Sequence, residues 1–251
     1  MGKRLTAIDI LEFKPRGEKI AALTAYDYFT AKFLDRAGID LILVGDSMNM
    51  VIYGEETTRT LDIEQSVYHT RAVAKAAQRA MVVGDMPFMS YQPSARDAVL
   101  HAGLLIRAGA QAVKIEGGRV AIKYIKAILE TGIPVMGHIG MTPQSFHKFG
   151  GYKLIGKTED EAKRVIEAAI ALSDAGVFSL VLEKIPRSLA KKITESIKIP
   201  TIGIGAGPDC DGQILVINDI IGMFDEFSPK FARKYADIAS IISKSAKTFE
   251  K

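Results

Sequence analysis

Eight short, almost wholly apolar segments recur along the chain: IAALTAY (20–26), DLILVGD (40–46), AMVVGD (80–85), AVKIEG (112–117), PVMGHIG (134–140), SLVLEK (179–184), PTIGIGA (200–206) and QILVIND (213–219). Runs that are apolar on both faces belong to strands covered on both sides, as in parallel sheets. Helical patterns lie between them. Ala162, Val165, Ile166, Ala169, Leu172 and Ser173 share one helical face. Thr158 with Glu161 has the form of a capping box opening that helix, and Ser94 with Asp97 opens another. Four of the strands follow a glycine that closes a helical pattern, in RAGI (36–39), RAGA (107–110), TGI (131–133) and DAGV (174–177). This is the left-handed helix-ending position that glycine tolerates best. The alternation predicts an α/β fold, and eight strands favour a closed (β/α)8 TIM barrel over the alternative, an open doubly wound sheet. A chain of 251 residues, 48% hydrophobic, suits one such domain spanning 1–251, with a short N-terminal extension and a C-terminal helix.

Composition narrows the function classes. The net charge is +4, spread along the chain with no basic stripe interleaved with aromatics, which suits small anionic substrates better than nucleic acid. Cys210 is the only cysteine, so no intramolecular disulfide forms and no oxidising compartment is required. The opening MGKRLTAIDILEF is interrupted by Asp9 and Glu12 and lacks the apolar stretch of a secretion signal. The best candidate for a membrane span, from Val165 to Leu182, is broken by Glu167 and Asp174. A cytoplasmic enzyme that engages neither membrane nor nucleic acid is the expectation.

Two of the strands end on the same dipeptide, Gly45-Asp46 and Gly84-Asp85, while Glu116 and Glu183 lie on later strands. In α/β sheets and barrels the carboxyl ends of the strands line one mouth, so these four carboxylates converge. Mg²⁺ takes one or two carboxylates and completes its octahedron with water or substrate oxygen, which suits Asp46 and Asp85, with Glu116 as a direct or water-mediated ligand. Capping of the next helix is the plainer role for either aspartate alone. Lys114 lies two residues before Glu116, so both point to the same side of their strand. Inward, it can bind a substrate carboxylate; outward, it would be an unpaired charge among packed helices. Ser47, next to Asp46, is either a ligand-fixing hydroxyl or a turn serine. Glu183, rising from Leu180-Val181-Leu182, suits a base that removes a proton from carbon, or else a structural partner of a neighbouring Lys or Arg. His138 stands near a strand end with its role open.

Two stretches remain. MTPQSFHKFGGYKLIGKT (141–158) is the longest connection without a helical pattern, and its length and position predict an active-site lid. IGIGAG (202–207) lacks the full dinucleotide fingerprint. A phosphate cradle is the rival reading, and tight packing of the strand against the following GPDCDG loop the preferred one.

Six phrases in order, LTAYDYFTAKFLDRAGID (23–40), LVGDSMNMVIYG (43–54), MVVGDMPFMSYQ (81–92), AVKIEGG (112–118), GHIGMTPQS (137–145) and IPTIGIGAGPDCDGQILVINDIIGM (199–223), resemble the ketopantoate (3-methyl-2-oxobutanoate) hydroxymethyltransferase family over nearly the whole chain. The departures are a lysine-rich KIPRSLAKKI after Glu183 and a short C-terminal end. The resemblance implies a transferase of pantothenate and coenzyme A biosynthesis. It would move a hydroxymethyl group from 5,10-methylenetetrahydrofolate to 3-methyl-2-oxobutanoate through a magnesium-stabilised enolate, giving 2-dehydropantoate. It implies Asp46 and Asp85 as Mg²⁺ ligands with Glu116 completing the acidic cluster. It further implies Ser47 and Lys114 holding the 2-oxo acid with the two aspartates, Glu183 as the base, and a homo-oligomer, commonly a decamer. The residues alone also fit a magnesium-dependent carbon–carbon lyase or mutase acting on another 2-oxo acid, or a catalytically silent barrel.

Overall fold

The computed structural model describes residues 3–224 and 229–250. In chain order the elements are α1 (Ala7–Arg16), β1 (Ile20–Thr24), α2 (Tyr28–Arg36), β2 (Leu41–Val44), α3 (Met48–Val51), α4 (Ile63–Ala76), β3 (Met81–Asp85), α5 (Ala95–Arg107), β4 (Ala112–Glu116), α6 (Ile122–Glu130), β5 (Val135–Gly140), α7 (Phe146–Phe149), α8 (Glu159–Ala175), β6 (Ser179–Glu183), α9 (Arg187–Ser196), β7 (Thr201–Ile204), β8 (Gly212–Leu215), α10 (Ile217–Ile220) and α11 (Ile238–Phe249). All eight strands pair in parallel and in sequence order, and β1 pairs with β8 to close the barrel. The fold is the predicted single-domain (β/α)8 barrel. Among the described residues no helix is long and apolar enough to cross a membrane.

The helix-to-strand glycines behave as their spacing predicts: Gly38, Gly109, Gly132 and Gly176 all have positive φ, between 85° and 110°. At Gly109 a Cβ would also press against Ala74 at 2.7 Å, so this turn needs glycine for room as well as for conformation. Ser94 caps α5 by accepting from the Asp97 amide at 3.0 Å. Thr158 caps α8 through the Glu161 amide at 3.2 Å. The Glu161 side chain departs from a closed capping box, reaching past the cap to the amides of Gly156 and Lys157 at 3.1 and 2.9 Å. It thereby fixes the approach to the helix rather than its first residue.

Ile20, Ala22, Leu41, Leu43, Met81, Val83, Ala112, Met136, Val181, Ile202 and Ile214 fill the barrel interior. Ala7 and Ile10 of α1 join the same cluster, so the N-terminal extension plugs the bottom of the barrel. It is fastened there by the Leu5 amide to the Arg79 carbonyl and by Lys14 to Asp211 at 3.1 Å. With the bottom sealed, the interior opens at the carboxyl ends of the strands.

The connection between β7 and β8 is the loop that the sequence predicts, and two other predicted elements end differently. β7 and β8 are joined by residues 205–211 with no helix between them. Ala206 and Cys210, each 1% exposed, drop instead into the apolar layer between barrel and helices. A Cβ on Gly203 would meet the Cys210 sulfur at 3.0 Å, so the glycine-rich phrase serves close packing, the preferred reading above. The predicted eighth strand stops at Leu215, and Ile217–Asp219 turn into α10. The segment 141–158 has more structure than its sequence predicts, with a 3-10 turn over Pro143–Ser145 running into α7.

Ile10 is fully buried at the plug, so Ile10→Ala should cost about 3 kcal/mol in urea unfolding. A loss under about 1 kcal/mol would mean that α1 does not belong to the core.

Candidate active site

Strand alternation decides which side chains enter the mouth. On β3, Met81 and Val83 face inward and bring Asp85 with them. On β4, Ala112 brings Lys114 and Glu116. On β5, Met136 brings His138, and on β6, Val181 brings Glu183. Asp46 does not follow this rule. β2 ends at Val44, two residues earlier than its sequence suggests, and Leu41 and Leu43 are its inward residues. Continued alternation would point Asp46 outward. The turn after Gly45 rotates it into the mouth, where its amide donates to Asp85 Oδ2 at 3.1 Å. The two Gly-Asp pairs are therefore alike in sequence and different in structure.

All six predicted residues line one cavity of ≈ 750 Å³, together with His138. Lys114, 3% exposed, lies at its centre, with Nζ 2.8 Å from Asp85 Oδ1 and 3.6 Å from Glu116 Oε1. His138 bridges two carboxylates, Nδ1 standing 3.3 Å from Glu116 Oε1 and Nε2 3.3 Å from Glu183 Oε2. Ser47 is held by the buried Tyr26, hydroxyl to hydroxyl at 2.8 Å. Lys184 turns away from Glu183, its ammonium 5.5 Å from the Tyr152 ring centre. Glu183 therefore pairs with the histidine, not with the adjacent lysine.

Four carboxylates here face two cationic side chains, and the protonation equilibria record the imbalance. Burial, then repulsion from Asp85 and Glu116, raises the Asp46 carboxyl well above its ordinary range. Burial also raises Asp85, outweighing the nearby Lys114 ammonium. For Glu116 the balance reverses: burial pushes up, but Lys114 and the facing His138 hold the carboxyl below its usual value. Burial and Lys114 push His138 down, yet Glu116 and Glu183 win and carry it up to about 9.

Sequence reasoning left two important groups unassigned. His138 is one. Gln144 is the other: its amide nitrogen donates to Asp46 Oδ2 at 3.1 Å and to the Met86 carbonyl at 2.9 Å, and its backbone N–H donates to Glu116 Oε2 at 3.0 Å. Tyr91 and Gln92 satisfy its carbonyl oxygen at 3.1 and 3.2 Å. Gln144 opens the predicted lid, so the start of that segment is buried site wall. Both residues fall in the phrase GHIGMTPQS, which was the available signal.

The sequence profile of the ketopantoate hydroxymethyltransferase family matches residues 4–251. The chain belongs to this family. Among hydroxymethyltransferase relatives, the 3-methyl-2-oxobutanoate hydroxymethyltransferase of Geobacter metallireducens is 50% identical over 250 residues, covering 99% of this chain and 94% of its own. That of Clostridium botulinum is 55% identical over 230 residues, covering 91% and 84%. Solved structures share the fold at low identity. A phosphonopyruvate hydrolase crystallised with oxalate and magnesium superposes with a TM-score of 0.65 at 13% identity, covering 97% of each chain. A 2,3-dimethylmalate lyase superposes at 0.64 and 15% identity, covering 98% of this chain and 87% of its own.

The hydroxymethyltransferase site is built to receive positive charge. Among the described residues no three His, Cys, Asp or Glu side chains form a ready-made cation cage. Asp85 Oδ1 and Glu116 Oε1 are nevertheless buried without an aligned hydrogen-bond donor, Lys114 approaching Asp85 as an ion pair only. Spare carboxylate lone pairs and a shortage of hydrogen-bond donors fit a hard divalent cation that brings its own oxygen ligands.

The raised His138 value has a direct consequence for stability. The native state binds this proton more tightly than the unfolded chain, whose histidine titrates near 6.5. Its contribution is complete below pH 6.5 and is lost as the pH rises through about 9. Asp46 acts in the same direction, being raised above its ordinary 3.8. Melting of the metal-free protein should therefore show a temperature that falls between pH 6.5 and 9, with a shallower fall in His138→Gln. Equal slopes would contradict the His138 bridge.

Proposed function

We propose that the chain transfers a hydroxymethyl group from 5,10-methylenetetrahydrofolate to 3-methyl-2-oxobutanoate, forming 2-dehydropantoate for pantothenate and coenzyme A synthesis. Family membership supports the transfer and its acceptor. The observation that carries the mechanism is one continuous arrangement, in which a base, Glu183, faces the buried acids across His138. The lyase or mutase alternative rests on the same acids. Its representatives share only the fold at 13–16% identity, whereas the 50–55% identical relatives are hydroxymethyltransferases.

Asp46 and Asp85 would hold Mg²⁺, with Glu116 completing the acidic set. When bound, Mg²⁺ supplies Lewis-acid polarisation of the keto and carboxylate oxygens of a 2-oxo acid, acidifying its C3 proton. Lys114 and the Ser47 hydroxyl, the latter aimed by Tyr26, orient the acid's carboxylate. Gln144 fixes the Asp46 carboxylate and joins it to Glu116. Glu183 removes the C3 proton. It remains partly accessible, at 14% side-chain exposure, while His138 holds its other face. Gly140 makes room for it: a Cβ there would collide with the Glu183 carbonyl oxygen. The electron pair left at C3 forms the bond to the one-carbon unit, water supplies the hydroxyl oxygen, and tetrahydrofolate departs.

Charge-assisted binding of a small acid in the barrel mouth fits a cytoplasmic enzyme of intermediary metabolism. Self-association fits the surface. No residue of α11 is buried, and Ile241, Ile242 and Phe249 are exposed on it, as are Phe29 and Phe33 on α2.

With both substrates and Mg²⁺, the wild type should produce 2-dehydropantoate, as read by proton NMR. Glu183→Gln should lower turnover by roughly a thousandfold, the scale of a lost general base, while binding of Mg²⁺ and the 2-oxo acid persists. Retained turnover would remove Glu183 from the base role. Asp85→Ala should instead weaken metal-dependent binding of the 2-oxo acid, and unchanged Mg²⁺ affinity would contradict its role as a ligand.

A further inference from the structure

The cavity is far larger than a five-carbon acid requires. Its ≈ 750 Å³ falls in the range of sites for drug-sized molecules. The acids, Lys114 and His138 occupy the side built by β2 to β6. The remaining wall, from β7 round to β8 and beyond, is apolar: Ile204, Leu215, Val216, Phe224 and Phe231 line it. Two ionisable residues interrupt that wall, Asp219 and Lys230, and of these only Asp219 is buried.

Asp219 is 8% exposed, and among the described residues no group donates a hydrogen bond to its carboxylate. Burial pushes its pKa up to about 6, only weakly opposed by Lys234. Its position is fixed. The first amide of α10, Ile217 N–H, donates to Thr24 Oγ1 at the end of β1 at 3.1 Å, and the Asp219 amide is tied to the Val216 carbonyl at 3.1 Å. A buried carboxylate without donors is costly unless a ligand brings them. A carboxylate accepts best from two parallel N–H groups, and apolar and aromatic walls suit the faces of a flat ring.

We propose that Asp219 and the apolar side chains of Ile204, Leu215, Val216, Phe224 and Phe231 form the subsite for the flat heterocycle of the one-carbon donor. Asp219 accepts hydrogen bonds from a ring N–H and the adjacent exocyclic amine of its 2-amino-4-oxopyrimidine edge. This rests on the hydroxymethyl-transfer reading and adds the residue that selects the donor. It separates the two substrates in space: the 2-oxo acid lies on the acidic side and the heterocycle on the β7–β8 side, with the reacting carbon between them.

Exchange of the C3 proton of 3-methyl-2-oxobutanoate in D₂O needs no donor, so it distinguishes the two halves of the site. In Asp219→Asn the KM for 5,10-methylenetetrahydrofolate should rise at least about tenfold, with C3 exchange and the 2-oxo acid KM within about twofold of wild type. A folate analogue lacking the exocyclic amine should bind the wild type more weakly than tetrahydrofolate does, and Asp219→Ala should bind both alike. An unchanged donor KM in Asp219→Asn, or loss of C3 exchange along with donor binding, would overturn the subsite. A wild type that neither exchanges C3 nor forms 2-dehydropantoate would overturn the transfer reading itself.

Discussion

The site is organised by one lysine buried among too many carboxylates. Lys114 lies 2.8 Å from Asp85 and 3.6 Å from Glu116, at the end of a barrel whose interior below is filled mostly by apolar side chains. A single buried ammonium cannot neutralise Asp46, Asp85, Glu116 and Glu183. The protein meets part of the deficit by keeping His138 protonated between Glu116 and Glu183, and part by raising Asp46. Buried ion pairs of this kind are poor investments for stability alone, because desolvation consumes much of the Coulombic gain. Their arrangement is better explained by a cation and a 2-oxo acid that complete the cluster when bound.

The cluster depends on backbone features far from chemistry in appearance. Inward alternation on β3 to β6 delivers five of its side chains, and the bottom plug, α1, packs Ala7 and Ile10 against the interior beneath them. Gly45 ends the alternation of β2 and lets Asp46 turn inward. Gly140, with φ of 96°, leaves space beside the Glu183 carbonyl. Gln144 then locks the first turn after β5 onto Asp46, Glu116 and Met86. A change in that turn is therefore felt at the acids directly, which explains why a segment with the length of a lid begins as part of the floor.

The strands were legible because parallel strands must be apolar on both faces, and the helix-ending glycines because only they occupy the left-handed turn without cost. Inward placement of Lys114 and Glu116 followed from the penalty of the alternative. Asp46 was reached by a repeated dipeptide whose two copies proved structurally unequal. Gln144 was illegible for a physical reason: a glutamine in a loop shows its value only once five polar partners from distant segments surround it. The absence of a helix between β7 and β8 was legible in the GPDCDG loop, but the filling of its place by Ala206 and Cys210 was not, since ordinary small residues carry no such signal. Asp219 fell inside an apparent strand, and only the turn of α10 brings it to the cavity.

The charge deficit is tested most directly by isothermal titration of Mg²⁺ into the wild type and Asp46→Asn at neutral pH, in two buffers of different ionisation enthalpy. His138, carried up to about 9, is protonated at neutral pH, and burial and its acidic neighbours raise the metal-free Asp46 carboxyl, so ion binding should release protons in the wild type, and Asp46→Asn should lose affinity and part of that release. Mg²⁺ binding with no proton release, or with a release unchanged in the variant, would contradict the account of an acid cluster that holds protons in place of a divalent cation.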